Sequence, residues 1–164
     1  MAIYKLTKDA LTALTETHLE AEGVLGRKHL QRLLRSQIKA LDSDLMVISE
    51  EFGDWVESSR RIDLLCLDKN ANLVIVELKR TEDGGHMELQ AVRYAAMVSK
   101  MTFPQLVSAY ESYLKQIGES TEDAQNRILQ FLGWDEPEED KFAQDVRIIL
   151  ASPNLFNPAG ALNG

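Results

Sequence analysis

The chain has 164 residues, 45% of them hydrophobic, and a formal net charge of −8. That length and apolar content suit one compact domain with a core of its own. No apolar run approaches the roughly 20 residues of a membrane span, and the opening MAIYKLTKDA lacks the apolar centre of a signal peptide.

A soluble cytoplasmic protein without a membrane partner is therefore expected, with one domain over 1–152 and an irregular tail, rich in Pro, Asn and Gly, over 153–164. Cys66 is the single cysteine, so it forms no internal disulfide and reads as a small core residue. His18, His29 and His86 match no metal-ligand spacing, and His86 suits a capping or surface role.

In chain order, helical character is expected first over about Lys8 to Glu22. From about Arg27 to Leu41, the residues Leu30, Leu33, Leu34, Ile38 and Leu41 make the apolar stripe of an amphipathic helix. Lys28, Arg32, Arg35 and Lys39 recur nearly opposite that stripe, with no acid between Val24 and Ala40. This basic ridge suits either a DNA contact or a solvated helix face. A strand over Leu45 to Glu50 then leads through Gly53 towards RRIDLLCLDKNANLVIVELKR, residues 60–80.

Within that stretch the apolar runs Ile62 to Leu67 and Leu73 to Leu78 flank the turn-forming Asp68-Lys69-Asn70-Ala71-Asn72. The pattern is a β-hairpin. If Leu67 pairs with Leu73, Asp63 falls opposite Glu77, with Cβ atoms about 4.5–5.5 Å apart. Strand alternation places Glu77 and Lys79 on one face, and Val74, Val76 and Leu78 on the other.

Two ionised carboxylates about 5 Å apart repel by about 3 kcal/mol at an effective dielectric near 20. They need a shared proton or a cation. A hard divalent ion such as Mg²⁺ takes oxygen ligands and one or two carboxylates, and Lys79 would orient or deprotonate an attacking water, or offset charge on a phosphate. The alternative is a half-exposed edge hairpin whose acids and lysine face solvent and pair with one another.

After Asp83-Gly84-Gly85, a helix over about Met87 to Met101 carries Met87, Ala91, Tyr94, Ala95 and Val98 at helical spacing. It sets Gln90 and Tyr94 one turn apart on one face, either to bind a phosphate or the metal-bound water, or as an ordinary helix-face glutamine and half-buried tyrosine. Further helices are expected from Pro104 to about Ile117 and from near Thr121 to Gly133. Asp135 to Asp140 is an acidic connector, and Val146 to Leu150 is a final buried strand. The expected fold class is α/β, a mixed central sheet flanked by helices, although periodicity alone allows other α/β arrangements.

Asp63, Glu77-Leu78-Lys79 and Gln90-x-x-x-Tyr94, at these spacings, resemble the PD-(D/E)XK restriction-endonuclease-like superfamily. The chain is most similar to the branch shared by mismatch-directed endonucleases and the nuclease domains of recombination helicase complexes. The similarity covers about Arg27 to Met101, and more weakly extends to Ser152. It implies a core of helix, three strands, helix and strand, and a metal-dependent DNA nuclease. Asp63, Glu77 and the Leu78 carbonyl would bind Mg²⁺ or Mn²⁺, Lys79 would assist the attacking water, and Gln90 and Tyr94 would support the scissile phosphate. More chain is expected after the last strand, so the sequence reads as a truncated relative or a bounded domain.

Such proteins carry an acid near the start of the first core helix, at or near position 26. Here it is Gly26, with Glu22 one turn earlier as a candidate substitute. The net acidity speaks against nucleic acid, yet residues 1–40 hold seven Lys or Arg against four Asp or Glu, whereas residues 101–164 hold four against ten. Arg60, Arg61, Arg80 and Arg93 flank the site and suit phosphate oxygens. DNA is the expected partner, and one site per chain would cut both strands as a homodimer or in two visits. The competing expectations are a nuclease-fold module that binds nucleic acid or proteins but cleaves weakly or not at all, and a purely structural interaction domain.

Overall fold

The computed structural model describes residues 4–15, 17, 21–24, 26–53, 61–78 and 87–151. The chain runs through β1 (Tyr4–Leu6), β2 (Leu11–Ala13), α1 (Arg27–Ser36), a 3₁₀ turn (Ile38–Ala40), β3 (Leu45–Phe52), β4 (Ile62–Asp68) and β5 (Leu73–Leu78). It continues through α2 (Met87–Val98), α3 (Phe103–Gln116), α4 (Ala124–Leu132) and β6 (Val146–Ala151). The protein is α/β: a mixed sheet in the order β3-β4-β5-β6, flanked by helices, with β4 antiparallel to both β3 and β5, and β6 parallel to β5. Parallel neighbours need a long crossover, and the three helices between β5 and β6 provide it.

The expected pairing of the central hairpin is observed, with Leu67 facing Leu73 and Leu64 facing Val76. Every residue of β4 and β5 is buried. This overturns the half-exposed edge hairpin: these are the two inner strands, and the edges are β3 and β6. Near-continuous burial explains their near-continuous apolar sequence, since helices cover strands that lie inside the sheet. α1 packs on β4 and β5, α2 on β5 and β6, and α3 on β3 and α4.

The hairpin loop is built on Asp68, whose Oδ1 accepts the N–H groups of Asn70 and Asn72 at 2.9 and 3.0 Å. Ala71 sits there at φ 62° and is buried. Arg147 on β6 donates to Asp68 Oδ2 at 2.9 Å and to Asp42 Oδ2 at 3.0 Å, which fastens the loop end of the sheet to the turn before β3.

Four expectations need correction. Lys8 to Glu22 is not helical among its described residues: β1 and β2 pair as a small exposed hairpin around a turn closed by Thr7 N–H on the Ala10 carbonyl, and residues 21–23 form a turn. Thr and Asp at that turn bond their own backbone more readily than they extend a helix. Second, α1 stops at Ser36, whose hydroxyl bonds back to the Leu33 carbonyl, and Gln37 leaves helical geometry before the 3₁₀ turn. Third, Leu33 is 36% exposed, while Gln31 is buried in its place. Fourth, β6 is not a buried strand: it is an edge of the sheet, and each of its residues is half-buried or exposed. Elsewhere the expected elements hold within a few residues: α2 ends at Val98, α3 starts at Phe103, and α4 closes at Gly133, whose φ of 74° suits a left-handed helix stop.

Cys66 is buried in β4, and burial pushes its thiol up to about 12. Among the described residues no helix is long and apolar enough to cross a membrane. The tail after Ala151 lies outside the described residues.

Asp68→Ala removes two turn hydrogen bonds and leaves Arg147 without its buried partner. Bonds to charged groups each contribute about 1.5–3 kcal/mol, part of which water restores, so the variant should lose about 3 kcal/mol of stability in urea unfolding. A loss under about 1 kcal/mol would show that the loop holds without this carboxylate.

Candidate functional site

The site lies at the end of the sheet away from the Asp68 loop. In register, the pairs Ser49 with Leu65 and Phe52 with Ile62 place Glu51 opposite Asp63, and continuing the β4–β5 ladder by one step places Glu77 opposite Asp63. Residues opposite one another across neighbouring strands project the same way. Three carboxylates from three consecutive strands therefore form a row.

Asp63 is wholly buried and Glu77 is 4% exposed. The Leu78 N–H donates to Asp63 Oδ2 at 2.7 Å, and the Asp63 N–H lies 3.4 Å from Glu77 Oε1. Each acid is thus fixed by the other's strand. Asp63 Oδ1 accepts no hydrogen bond, although Arg27 Nη2 lies 3.2 Å away. The same Arg27 nitrogen donates to Glu51 Oε1 at 2.9 Å, so the guanidinium bridges the two acids from the first turn of α1. Gln31, one turn further on, donates Nε2 to the Asp63 carbonyl at 3.0 Å, and its buried Oε1 has no hydrogen-bond partner.

Burial pushes the Asp63 carboxyl up to about 6; the Leu78 N–H and Arg27 oppose the rise, and Glu51 adds to it. Glu77 rises further, to about 8, first through burial and then through the neighbouring Asp63 charge. Near neutral pH the pair together holds about one proton.

Gln90 and Tyr94 meet as their spacing implies: Gln90 Nε2 donates to the Tyr94 hydroxyl at 2.9 Å. That hydroxyl donates to the Arg61 carbonyl at 3.1 Å, so the pair ties α2 to the chain entering β4, two residues before Asp63. Arg61 is exposed and its Nη1 donates to the Glu51 carbonyl at 3.2 Å. Arg93 is exposed. Lys79, Arg60, Arg80, His18 and His86 lie outside the described residues.

Arg35 departs from the basic ridge, being half-buried and paired with Glu50 at 2.6 Å, whereas Lys28, Arg32 and Lys39 are exposed. Gly26 caps α1 in extended backbone, and a Cβ there would meet nothing within 4 Å, so an acid is sterically admissible where none stands. Glu22 is no substitute: it is exposed and accepts the Thr17 hydroxyl at 2.8 Å.

Glu51, Arg27 and Gln31 are the residues that sequence reasoning missed. Gln31 reads as polar filler in a helix, Arg27 as a boundary residue, and Glu51 as one of two adjacent glutamates at a strand end. They line a cleft of about 540 Å³ together with Arg61, which also borders a second cleft of about 740 Å³ between the end of β3 and α3.

The donor set suits a hard cation. Two buried carboxylates offer only oxygen, one of those oxygens lacks a hydrogen bond, and the backbone of Leu78 passes beside them. With Arg27 across Glu51 and Asp63, no three His, Cys, Asp or Glu among the described residues close around an ion. Fold and site thus define an α/β protein with a buried acidic pair at one end of its central strands. No protein-family model matches the chain, and no curated protein or solved structure matches it.

Both carboxyls sit above their ordinary values of 3.8 and 4.5. From about pH 4 to pH 8 the folded chain therefore holds more protons than the unfolded one, and this contribution to stability falls as pH rises through that window. The urea midpoint of metal-free protein should drop between pH 5 and pH 8, and Glu77→Gln should reduce that drop. An equal drop in the variant would mean that Glu77 ionises freely in the folded chain.

Proposed function

We propose that the protein is a metal-dependent nuclease that hydrolyses phosphodiester bonds in DNA, built on a restriction-endonuclease-like core. The observation that carries this reading is the Asp63–Glu77 pair, buried on the inner strands with one oxygen lacking a hydrogen bond. A structural role explains it poorly, because burying carboxylates costs several kcal/mol unless charge and hydrogen bonds repay it. The element order, helix, three strands, helix and later strand, is the one the resemblance implies.

In this reading Asp63, Glu77 and the Leu78 carbonyl hold Mg²⁺ or Mn²⁺. Such an ion, when bound, supplies positive charge to a phosphoryl oxygen and favours loss of a proton from water. Lys79, two residues beyond Glu77, takes up or positions that proton. Gln90 and Tyr94 keep the entry to β4 in place, and the Gln90 amide is the group of the pair nearer solvent. Arg60, Arg61, Arg80 and Arg93 meet the flanking phosphates, where their forked donors fit oxygen pairs. These cations answer the objection from net charge, since phosphate contacts depend on local charge.

Two observations favour the second reading, a nuclease-fold module that binds nucleic acid or proteins and cleaves weakly: Arg27 already neutralises Asp63, and no acid stands at Gly26.

Purified protein should cut single-stranded, duplex or branched DNA with Mg²⁺ or Mn²⁺ and lose activity with chelator. Asp63→Ala, Glu77→Ala and Lys79→Ala should each lower the rate at least about 100-fold, the scale of losing a main charge-stabilising group. Cleavage retained by either carboxylate variant would sink the assignment; metal-independent DNA binding without cleavage would establish the second reading.

A further inference from the structure

We infer that Glu51 is the third carboxylate of the cation site and that the Arg27 guanidinium is its displaceable stand-in, leaving as a divalent ion enters. The inference rests on the reading of Asp63 and Glu77 as a cation centre and extends it to residues outside the motif.

The geometry is specific. One nitrogen of Arg27 touches the Glu51 and Asp63 carboxylates at 2.9 and 3.2 Å, and so stands between them where a shared cation would stand. It serves Asp63 incompletely, because the buried Oδ1 gets charge but no hydrogen bond. A second oxygen points independently to a missing ligand: Gln31 Oε1, 1% exposed by residue and without a partner, belongs to the amide already bonded to the Asp63 carbonyl. Buried oxygens are normally satisfied, and an exception calls for an unplaced ion or water. Here one such oxygen belongs to the Asp63 carboxylate and the other to the amide bonded to the Asp63 backbone carbonyl.

Glu51 is held for this position at a cost. Its φ is 52°, the left-handed region that a residue with a Cβ enters only with strain. Its carbonyl accepts Arg61 and its side chain accepts Arg27, so two arginines fix the strained residue from both ends. Arg27 itself can leave. Its side chain is 43% exposed, it starts a helix, and the cleft gives it room to turn outward without repacking the core. With Arg27 gone, the three carboxylates when ionised carry three negative charges, of which a divalent cation neutralises two. The neighbouring Glu50 is bound to Arg35 instead and takes no part.

The test is direct Mn²⁺ binding by calorimetry or electron paramagnetic resonance on the full chain at physiological salt, with folding of each variant checked by circular dichroism. Expected results are binding lost in Asp63→Asn, weakened at least tenfold in Glu51→Gln, partly kept in Glu51→Asp, and within twofold of wild type in Glu50→Gln. Arg27→Met should bind at least threefold tighter. Glu51→Gln within twofold of wild type while Asp63→Asn is dead would overturn the inference and leave the cation centre standing, as would weaker binding by Arg27→Met. Absence of Mn²⁺ binding in both wild type and Arg27→Met would overturn the cation centre itself.

Discussion

Burying Asp63 and Glu77 on the inner strands is the constraint to which the rest of the site answers. A carboxylate loses most of its hydration on entering such a position, and the loss is tolerable only with hydrogen bonds, an opposite charge or a proton. All three are present in part. The Leu78 N–H serves Asp63, Arg27 supplies charge, and Glu77 takes a proton up to about pH 8. None is complete, and the residual imbalance separates this end of the sheet from the Asp68 end. There the same residue type is also buried, but two loop N–H groups and Arg147 satisfy it. One buried aspartate is finished as structure; the other is left open.

Much of this was legible in the sequence because the hairpin's signals are local. Two apolar runs separated by a loop of turn-formers fix a register, and the register alone sets Asp63 against Glu77. Helical spacing likewise brings Gln90 onto Tyr94. Glu51 was not legible, for a reason of one residue. Along the start of β3, Leu45 faces Asp68 and Val47 faces Cys66; continuing that register would bring Glu50 to Asp63. A bulge between Val47 and Ser49 shifts the pairing, so that Glu51 arrives and Glu50 goes to Arg35. A one-residue slip exchanges the faces of a strand, and nothing in LMVISEEF marks where the extra residue sits.

The N-terminal misreading has a different origin. β1 and β2 are three residues each and exposed throughout, so they leave too short an alternation to outweigh a helical pattern spread over fifteen residues. The error does not reach the site, because β1 and β2 pair chiefly with one another.

The placement of Arg27 is harder to explain by its helix than by its acids. The N-terminus of a helix carries partial positive charge and favours acidic residues, yet the first turn of α1 holds none and begins Arg27-Lys28. Local helix energetics would have preferred an acid at this point, including one at Gly26, where a side chain has room. The arginine is stabilised across the sequence, by Glu51 on β3 and Asp63 on β4, against the preference of its own element. Its position therefore follows the charge state of those carboxylates. Once another cation neutralises them, the attraction holding Arg27 over the sheet weakens while the helix dipole continues to disfavour it there, and both effects drive the guanidinium towards the cleft.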